Sequence, residues 1–211
     1  MFPLNDDFDA TSLDSLEPVF NELLSRDVKS VGDLEAFFSD ISDMAEHISE
    51  AGARLYIGMT CDTENELKQT NFLNFVENIR PRMSEVSNKL DLKILNLDFL
   101  DQLSDRYTLI LRSMRNSIEI FREENIPLSV ECTKLSTEYQ KIIGAMTVNF
   151  EGMEYTLPQM RRFLESNDRE TRRLAWTSVQ ERRMKDSSRI SEILDELIDK
   201  RNKISQNAGF N

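Results

Sequence analysis

The stretch from Ser30 to Thr60, SVGDLEAFFSDISDMAEHISEAGARLYIGMT, decides the fold. Its apolar residues recur in steps of three and four, which places them on one face of a helix; they are Val31, Leu34, Phe37, Phe38, Ile41, Met44, Ala45, Ile48, Ala51, Leu55 and Tyr56. Ser30 stands three residues before Asp33, and its hydroxyl would accept from the free N–H groups of the first turn. The pattern therefore predicts one long helix from Val31 to about Met59.

The flanking segments predict partners for this helix. A shorter helix is expected before it, near Ser15 to Ser25. After it, the pair Thr63 and Glu66 is typical of a capping box. Apolar residues then follow at helical spacing, namely Leu67, Phe72, Phe75, Val76, Ile79, Met83, Val86 and Leu90. We expect a second long helix that runs back along the first, with a kink at Pro81 because proline removes one backbone donor.

The second half of the chain alternates short and long elements. A helix carrying Ile110, Met114, Ile118 and Phe121 should end before Pro127, and a short helix should follow around Ser136 to Ile143. Residues 145–157 instead alternate apolar and polar side chains around the turn Glu151-Gly152, which predicts a β-hairpin. A helix near Pro158 to Glu165 and a cap at Asn167 complete the prediction, followed by one long helix that carries Leu174, Val179, Ile190, Leu194, Leu197 and Ile204. The fold class is thus mainly α, with long antiparallel helices and one short β-hairpin, divided into regions 1–110 and 111–211.

Composition excludes several classes of protein. The chain has 211 residues, 39% of them hydrophobic, which is enough for a core without metal or disulfides. No segment is apolar over the length that a membrane span or a secretion signal needs. Cys61 and Cys132 lie far apart and fit free thiols in a cytoplasmic protein. The net charge is -12, and residues 1–50 hold 13 acidic against two basic residues, which would repel nucleic acid and anionic lipid.

The residues that could support catalysis are few. His47 is the one histidine, so neither H-E-x-x-H nor its inverse can be built, and a polar-edge histidine is the favoured interpretation over a ligand in a shared site. Cys61 or Cys132 would need His47 as a base, and the sequence does not show that they meet. The carboxylate pairs Asp6-Asp7 and Glu123-Glu124 are assigned to the surface, because sequence neighbours do not share a helix face. There is no phosphate-binding glycine loop.

Two features of the last third of the chain have both a binding and a structural interpretation. The doublets Arg161-Arg162, Arg172-Arg173 and Arg182-Arg183 could form an anion-binding stripe, but their acidic neighbours favour ion-paired, solvated faces. Trp176 could stack on an arginine or a ligand, whereas the commoner role is a core anchor of its helix.

Several segments in succession resemble the M3-family oligoendopeptidases F, zinc peptidases of the thimet oligopeptidase clan. They are Arg54-Leu-Tyr-Ile-Gly-Met-Thr-Cys-Asp-Thr63, Arg112-Ser-Met-Arg-Asn116, Phe121-Arg-Glu-Glu-Asn-Ile-Pro-Leu128, Leu135-Ser-Thr-Glu-Tyr-Gln-Lys141, Gly144-Ala-Met-Thr-Val148, Gly152, Asp168-Arg169, Arg172, Ala175-Trp176 and Asn207-Ala-Gly-Phe210. None of them is a catalytic signature, and the resemblance lies in their order and spacing.

The resemblance implies the amino-terminal lobe of an enzyme that cuts short peptides in a channel between two helical lobes. Zinc, with two histidines and a glutamate as ligands, would lie in a downstream catalytic domain, which would be the partner of this chain. We therefore assign no catalytic, cofactor-binding or metal-binding residue here. Tyr155 and other hairpin residues could face the channel or simply pack.

We expect a truncated chain, because Asn207-Ala-Gly-Phe210 looks like the middle of a family segment, and a natural split is the alternative. The competing hypothesis is a free-standing helical module that binds a partner helix.

Overall fold

The computed structural model describes residues 8–210. Within them the helices are α1 Leu13–Ser25, α2 Val31–Thr60, α3 Glu66–Asn74, α4 Arg80–Leu95, α5 Thr108–Ile120, α6 Asn125–Gly144, α7 Leu157–Leu164, α8 Arg169–Lys185 and α9 Ser187–Asn207. The strands β1 Thr147–Phe150 and β2 Met153–Thr156 form one antiparallel hairpin. The predicted fold class, mainly α with a short hairpin, is confirmed.

The long helix α2 forms as its sequence predicts. The Ser30 Oγ accepts from the backbone N–H of Asp33 at 3.2 Å, which satisfies one of the free donors of the first turn. The helix then runs for 30 residues to Thr60, one residue beyond the predicted end. Its buried face points at the first core, and the residues of α2 in that core are Leu34, Phe37, Met44 and Ile48.

The start of the second long helix differs from the prediction. Asn65, not Thr63, is the N-cap, and its Oδ1 accepts from Lys68 N at 3.2 Å, so Glu66 is already the first helical residue. The predicted capping box at Thr63 and Glu66 was therefore wrong. Asparagine and threonine are both good N-cap residues, so the residue types alone do not decide between Asn65 and Thr63.

Helical backbone continues from α3 to α4, as predicted. A π-helical turn, Phe75–Ile79, joins them and buries Phe75, Val76 and Ile79. Pro81 is the second residue of α4, directly after this turn. The irregularity expected at Pro81 therefore takes the form of a wider turn just before the proline.

Two glycines of α2 should respond oppositely to alanine. A Cβ on Gly52 would lie 2.8 Å from Cε1 of the buried Phe75 ring, whereas a Cβ on Gly58 would meet nothing within 4 Å. Overpacking costs about 1–3 kcal/mol, and alanine gains about 1 kcal/mol over glycine in a helix. We expect Gly52→Ala to lower the free energy of unfolding by about 1 kcal/mol and Gly58→Ala to raise it by up to about 1 kcal/mol. Urea denaturation of both variants checks this, and stabilisation by Gly52→Ala would contradict the contact with Phe75.

The first core lies between α1, α2, the π-helical turn, α4 and α5. Arg82 links α4 to α1 through two hydrogen bonds to the Glu17 carboxylate, of 2.5 Å from Nε and 2.9 Å from Nη2. These bonds lower the pKa of Glu17 below its ordinary value. Leu111 and Met114 of α5 belong to the same core. The division at residues 110 and 111 remains a prediction, and the packing of α5 favours a boundary after this helix.

Asp91 of α4 gives stability a dependence on pH. Burial raises the pKa of its carboxyl to about 6. Since that exceeds the value near 4 of an unfolded chain, the contribution of Asp91 to stability falls as the pH rises from about 4 to about 6. We expect Asp91→Asn to raise the free energy of unfolding by about 1 kcal/mol at pH 7.5 and to leave it unchanged at pH 3.5. The expected gain is smaller than the pKa shift alone would give, because Asp91 is partly exposed and solvent screens its charge. Urea denaturation at both pH values, with the exposed Asp98→Asn as control, tests this; an equal gain at both values would contradict it.

Helix α6 is much longer than predicted. It begins at Asn125 rather than near Ser136, and Pro127 lies inside its first turn. A proline is tolerated there because the first-turn N–H groups have no partner within the helix. On one side α6 packs against α9, where Arg189 binds Glu138 through Nε at 2.7 Å and Nη2 at 2.8 Å. On the other side it contacts the π-helical turn and α4, so α6 joins the two halves of the chain.

The hairpin organises a second core. Strand β1 pairs with β2 in register from Thr147 opposite Thr156 to Phe150 opposite Met153. The turn residues Glu151 and Gly152 both have positive φ, of 50° and 80°, as a tight two-residue hairpin turn requires. The predicted hairpin is confirmed. Its inward side chains pack on α7 and α8; the buried members are Val148, Phe150, Tyr155, Met160, Ala175 and Val179.

The last predicted helix is two helices. Asp168, not Asn167, caps α8 by accepting from Thr171 N at 2.8 Å. Asp186 then separates α8 from α9, and α9 turns to pack on α6. The continuous apolar spacing concealed this break, because both helices bury a face but against different partners.

Within residues 8–210, no helix has the length and apolar character needed to cross a bilayer.

Candidate functional surface

His47 does not belong to a metal site in the described part of the chain. It is exposed on α2, with Nδ1 2.8 Å from the Asp43 carbonyl oxygen and the Phe8 ring against its edge at 5.8 Å. A zinc site needs three or four converging ligands, and within residues 8–210 no three His, Cys, Asp or Glu side chains converge in that way. The residues present therefore do not fit a zinc ion. The absence of catalytic, cofactor-binding and metal-binding residues stays a prediction.

The other candidates for chemistry are also dispersed. Cys61 is exposed at the end of α2 and Cys132 is half-buried on α6, both as free thiols. Glu123 and Glu124 are exposed, as expected of a surface pair. Asp6 and Asp7 lie outside the described residues.

Four of the six doublet arginines, Arg161, Arg172, Arg173 and Arg182, have acidic or backbone partners, as the favoured interpretation predicts. Arg173 binds Glu170 at 2.5 Å, and Arg182 forms an ion pair with Asp186. Arg161 lies 3.3 Å from Glu165, at the weak end of such contacts. Two others serve the fold: Arg172 donates to the carbonyls of Ser166 and Asn167, and Arg162 covers the rings of Tyr155 and Phe163. A shared anion-binding stripe is not formed.

Tyr155 packs in the second core rather than facing an open channel. Its ring is 8% exposed and lies 5.2 Å from that of Phe163. Of the two interpretations of the hairpin tyrosine, the structure supports packing.

Trp176 is placed differently from the predicted core anchor. The indole is 58% exposed, whereas its neighbour Ala175 is fully buried against the hairpin. One residue corresponds to about 100° around a helix, so both cannot share the buried face. The small Ala175 allows α8 to approach the hairpin closely, and Trp176 points into the groove beside it.

This groove, here called the α7–α8 groove, is an apolar depression of about 630 Å³ with a basic rim. The wall from α7 comprises Leu157, Pro158, Arg161 and Leu164, and the wall from α8 comprises Trp176, Val179, Gln180 and Arg183. Ile143, Gly144, Met146 and Thr156 complete it. The wall residues recur at steps of three and four, as one face of each helix must. Sequence reasoning missed the groove because α7 and α8 appear separately as ordinary amphipathic helices.

A second, smaller cavity of about 240 Å³ lies where α6 meets α4 and the end of α5. Val76, Pro81, Ile120 and Val130 give it apolar walls, and Arg80 lies at its edge. Arg80 also lies over the rings of Phe72 and Phe75, at 5.8 and 6.0 Å. The cavity adjoins the π-helical turn, since Val76 lines it.

Comparisons with solved structures identify the fold. A candidate oligoendopeptidase F matches with a TM-score of 0.88 and 22% identity, over 98% of this chain and 37% of that one. PZ peptidase A, solved with an inhibitor, matches with a TM-score of 0.87 and 23% identity, over 96% and 36%. A candidate oligoendopeptidase F from Bacillus anthracis matches with a TM-score of 0.88 and 20% identity, over 100% and 39%.

The chain thus spans less than two fifths of the length of these structures. No curated protein matches it. The family model of the peptidase M3 N-terminal domain matches residues 6–121, more than half of the chain. With the same fold over nearly every residue, this chain belongs to the M3 peptidase family and corresponds to its amino-terminal region.

Proposed function

We propose that this chain is the amino-terminal substrate-channel lobe of a zinc-dependent oligoendopeptidase that hydrolyses short peptides. The observation that carries the proposal is the unequal coverage of the structural matches: nearly all of this chain corresponds to about 37% of an oligoendopeptidase F-like chain. The remaining part of such a protein would hold the zinc site. We assign no step of hydrolysis to residues of this chain, because they do not fit a zinc ion.

The role of the lobe would be to form one wall of the channel and restrict entry to short, unfolded peptides. A wall must be rigid to exclude folded chains, and packed cores connected through α6 provide such a body; Val130 of α6 also packs against a third, smaller cluster of Met59, Phe72 and Val76. Its partners would be the catalytic domain and peptide substrates, and neither nucleic acid nor membrane, because residues 1–50 are strongly acidic. We place the protein in the cytoplasm, since two free thiols suit a reducing compartment.

The test compares residues 1–211 with the polypeptide from the complete reading frame. We expect the complete polypeptide to cleave short fluorogenic peptides and to lose this activity with a chelator, and residues 1–211 to bind no stoichiometric zinc and to cleave nothing. Removal of residues 1–211 from the complete polypeptide should abolish its folding or its size selectivity. A downstream half with unchanged activity and size cutoff would contradict the proposal, as would stoichiometric zinc in residues 1–211.

A free-standing helical interaction module is the second candidate, and the exposed α7–α8 groove is the observation in its favour. The reading frame beyond Asn211 discriminates between them. Continuation into an H-E-x-x-H helix supports the peptidase lobe, whereas a stop codon at that point supports a split enzyme or an independent module.

A further inference from the structure

The α7–α8 groove combines exposed apolar surface with a local excess of positive charge. Trp176 is 58% exposed and Leu164 is 36% exposed, which is unusual for large apolar side chains that lie side by side in a depression. Residues 157–185, which include both walls, hold eight basic and four acidic residues, a net charge of +4 in a chain of net charge -12. Of these residues, Arg161 and Arg183 line the groove, and its lining within residues 8–210 contains no acidic residue, so the groove is basic within an acidic protein.

The two arginines of the rim are less engaged than Arg162, Arg172, Arg173 and Arg182 of the same two helices. Arg182 and Arg173 are ion-paired within α8 and its C-cap, and Arg172 and Arg162 serve the fold. Arg161 reaches Glu165 at 3.3 Å with its side chain 82% exposed. In the described part of the chain, Arg183 takes part in none of the ion pairs. Both guanidinium groups border the apolar walls and can receive carboxylates from a partner.

The shape and chemistry of the groove specify the partner. A depression between two packed helices accepts the side-chain ridge of a third helix. Apolar walls require an apolar face on that helix, and the rim requires acidic residues along its flanks. Nucleic acid does not fit, because Leu157, Pro158, Leu164 and Val179 line the walls and the protein as a whole is acidic.

We propose that the α7–α8 groove is the docking site for an amphipathic helix with acidic flanks from the catalytic part of the same polypeptide. This inference rests on the proposed function. The structural matches extend over chains more than twice as long as this one, so such a protein has further chain to cover the groove. Trp176 is then the central contact, and Arg161 and Arg183 set the position of the docked helix by pairing with its carboxylates.

Oxidative footprinting with mass spectrometry measures directly whether Trp176 is covered in the complete polypeptide. The complete polypeptide and residues 1–211 are exposed to the same hydroxyl-radical dose, with Met153, the first residue of β2 and 58% exposed, as internal reference. We expect Trp176 to oxidise roughly tenfold more slowly in the complete polypeptide, because the core of an interface excludes water. If the complete polypeptide has chelator-sensitive activity but Trp176 oxidises in it as fast as in residues 1–211, the docking proposal is overturned and the proposed function stands. If that activity is absent, the proposed function itself fails.

Charge reversal tests the acidic character of the partner. Arg183→Glu should return Trp176 oxidation in the complete polypeptide to within about twofold of the rate in residues 1–211, since repulsion replaces a charge pair. Lys185→Glu is the matched control, because it makes the same charge change in the last turn of α8 but does not line the groove. Equal effects of the two variants would overturn the proposal. Should Arg183→Glu not fold, Arg183→Gln takes its place.

A second copy of the chain is the competing occupant, because the outer face of α9 exposes Leu194 and Ile198 beside Asp195 and Asp199. To distinguish a docked helix from a second copy, residues 1–211 are footprinted at several concentrations, and sedimentation measures the oligomeric state of the same samples. Trp176 oxidation independent of concentration in a monomer supports the proposal. Protection that rises with dimer formation overturns it.

Discussion

Replacing Phe37 by alanine is expected to lower the free energy of unfolding by about 3–5 kcal/mol, the range for loss of a fully buried phenylalanine. The side chain is 0% exposed and lies in the first core on α2. Two cations also lie against its ring, Arg26 at 5.4 Å and Lys93 at 5.3 Å from the centroid. Lys93 in turn donates to the carbonyls of Leu23 and Leu24 at the end of α1. Loss of the ring therefore leaves a cavity and removes support from this connection between α1 and α4.

Urea denaturation followed by circular dichroism measures the effect of Phe37→Ala. The control is Ile57→Ala on the same helix, where the side chain is 57% exposed and the change should be within about 0.5 kcal/mol. Similar losses for the two variants would contradict the assignment of Phe37 to the core.

Met160→Ala should destabilise the second core by about 2–4 kcal/mol, as expected for truncation of a fully buried methionine. Met160 is 0% exposed and packs among the hairpin, α7 and α8. The first and second cores have no buried residue in common. We therefore expect amide hydrogen exchange to accelerate in residues 147–179 while α2 and α4 keep their protection.

Hydrogen exchange with peptide-level mass spectrometry distinguishes local from global loss in Met160→Ala. Met184→Ala is the control, because this methionine is 68% exposed on α8. Equal acceleration in α2 and in the hairpin would show one cooperative unit and would argue against the proposed division of the chain into two regions.

The sequence correctly predicted those helix and hairpin ends that depend only on residues close to them in the chain. Ser30 caps α2 through its own hydroxyl, and Gly152 adopts the positive φ that the hairpin turn requires. Such bonds and torsions depend on neighbours within a few residues, so the sequence reveals them. The family resemblance, spread over the whole chain, is confirmed by the M3 N-terminal domain and by the oligoendopeptidase F-like structures.

The elements that were predicted wrongly depend on distant contacts or on a choice between equivalent residues. Helix α5 does end before Pro127, as predicted, but Pro127 lies in the first turn of α6, which therefore begins at Asn125 rather than near Ser136. The Asn125 side chain also donates to the Ile204 carbonyl of α9 at 3.0 Å. The break at Asp186 follows from the packing of α9 on α6, which no local pattern records. Trp176 was assigned to the core because indoles usually pack. Its exposure depends on the burial of Ala175 against the hairpin of residues 147–156, which lies earlier in the chain.

The hairpin unit, residues 147–185, is attached to the rest of the chain by short connections. It is joined to α6 by Ala145 and Met146 at one end and to α9 by Asp186 at the other. Two such short connections, together with the contacts between α8 and α9, restrict the position of the unit relative to both helices. A helix docked in the α7–α8 groove would therefore be held at a fixed position relative to α6 and α9, and would contact the end of α6 as well, because Ile143 and Gly144 also line the groove.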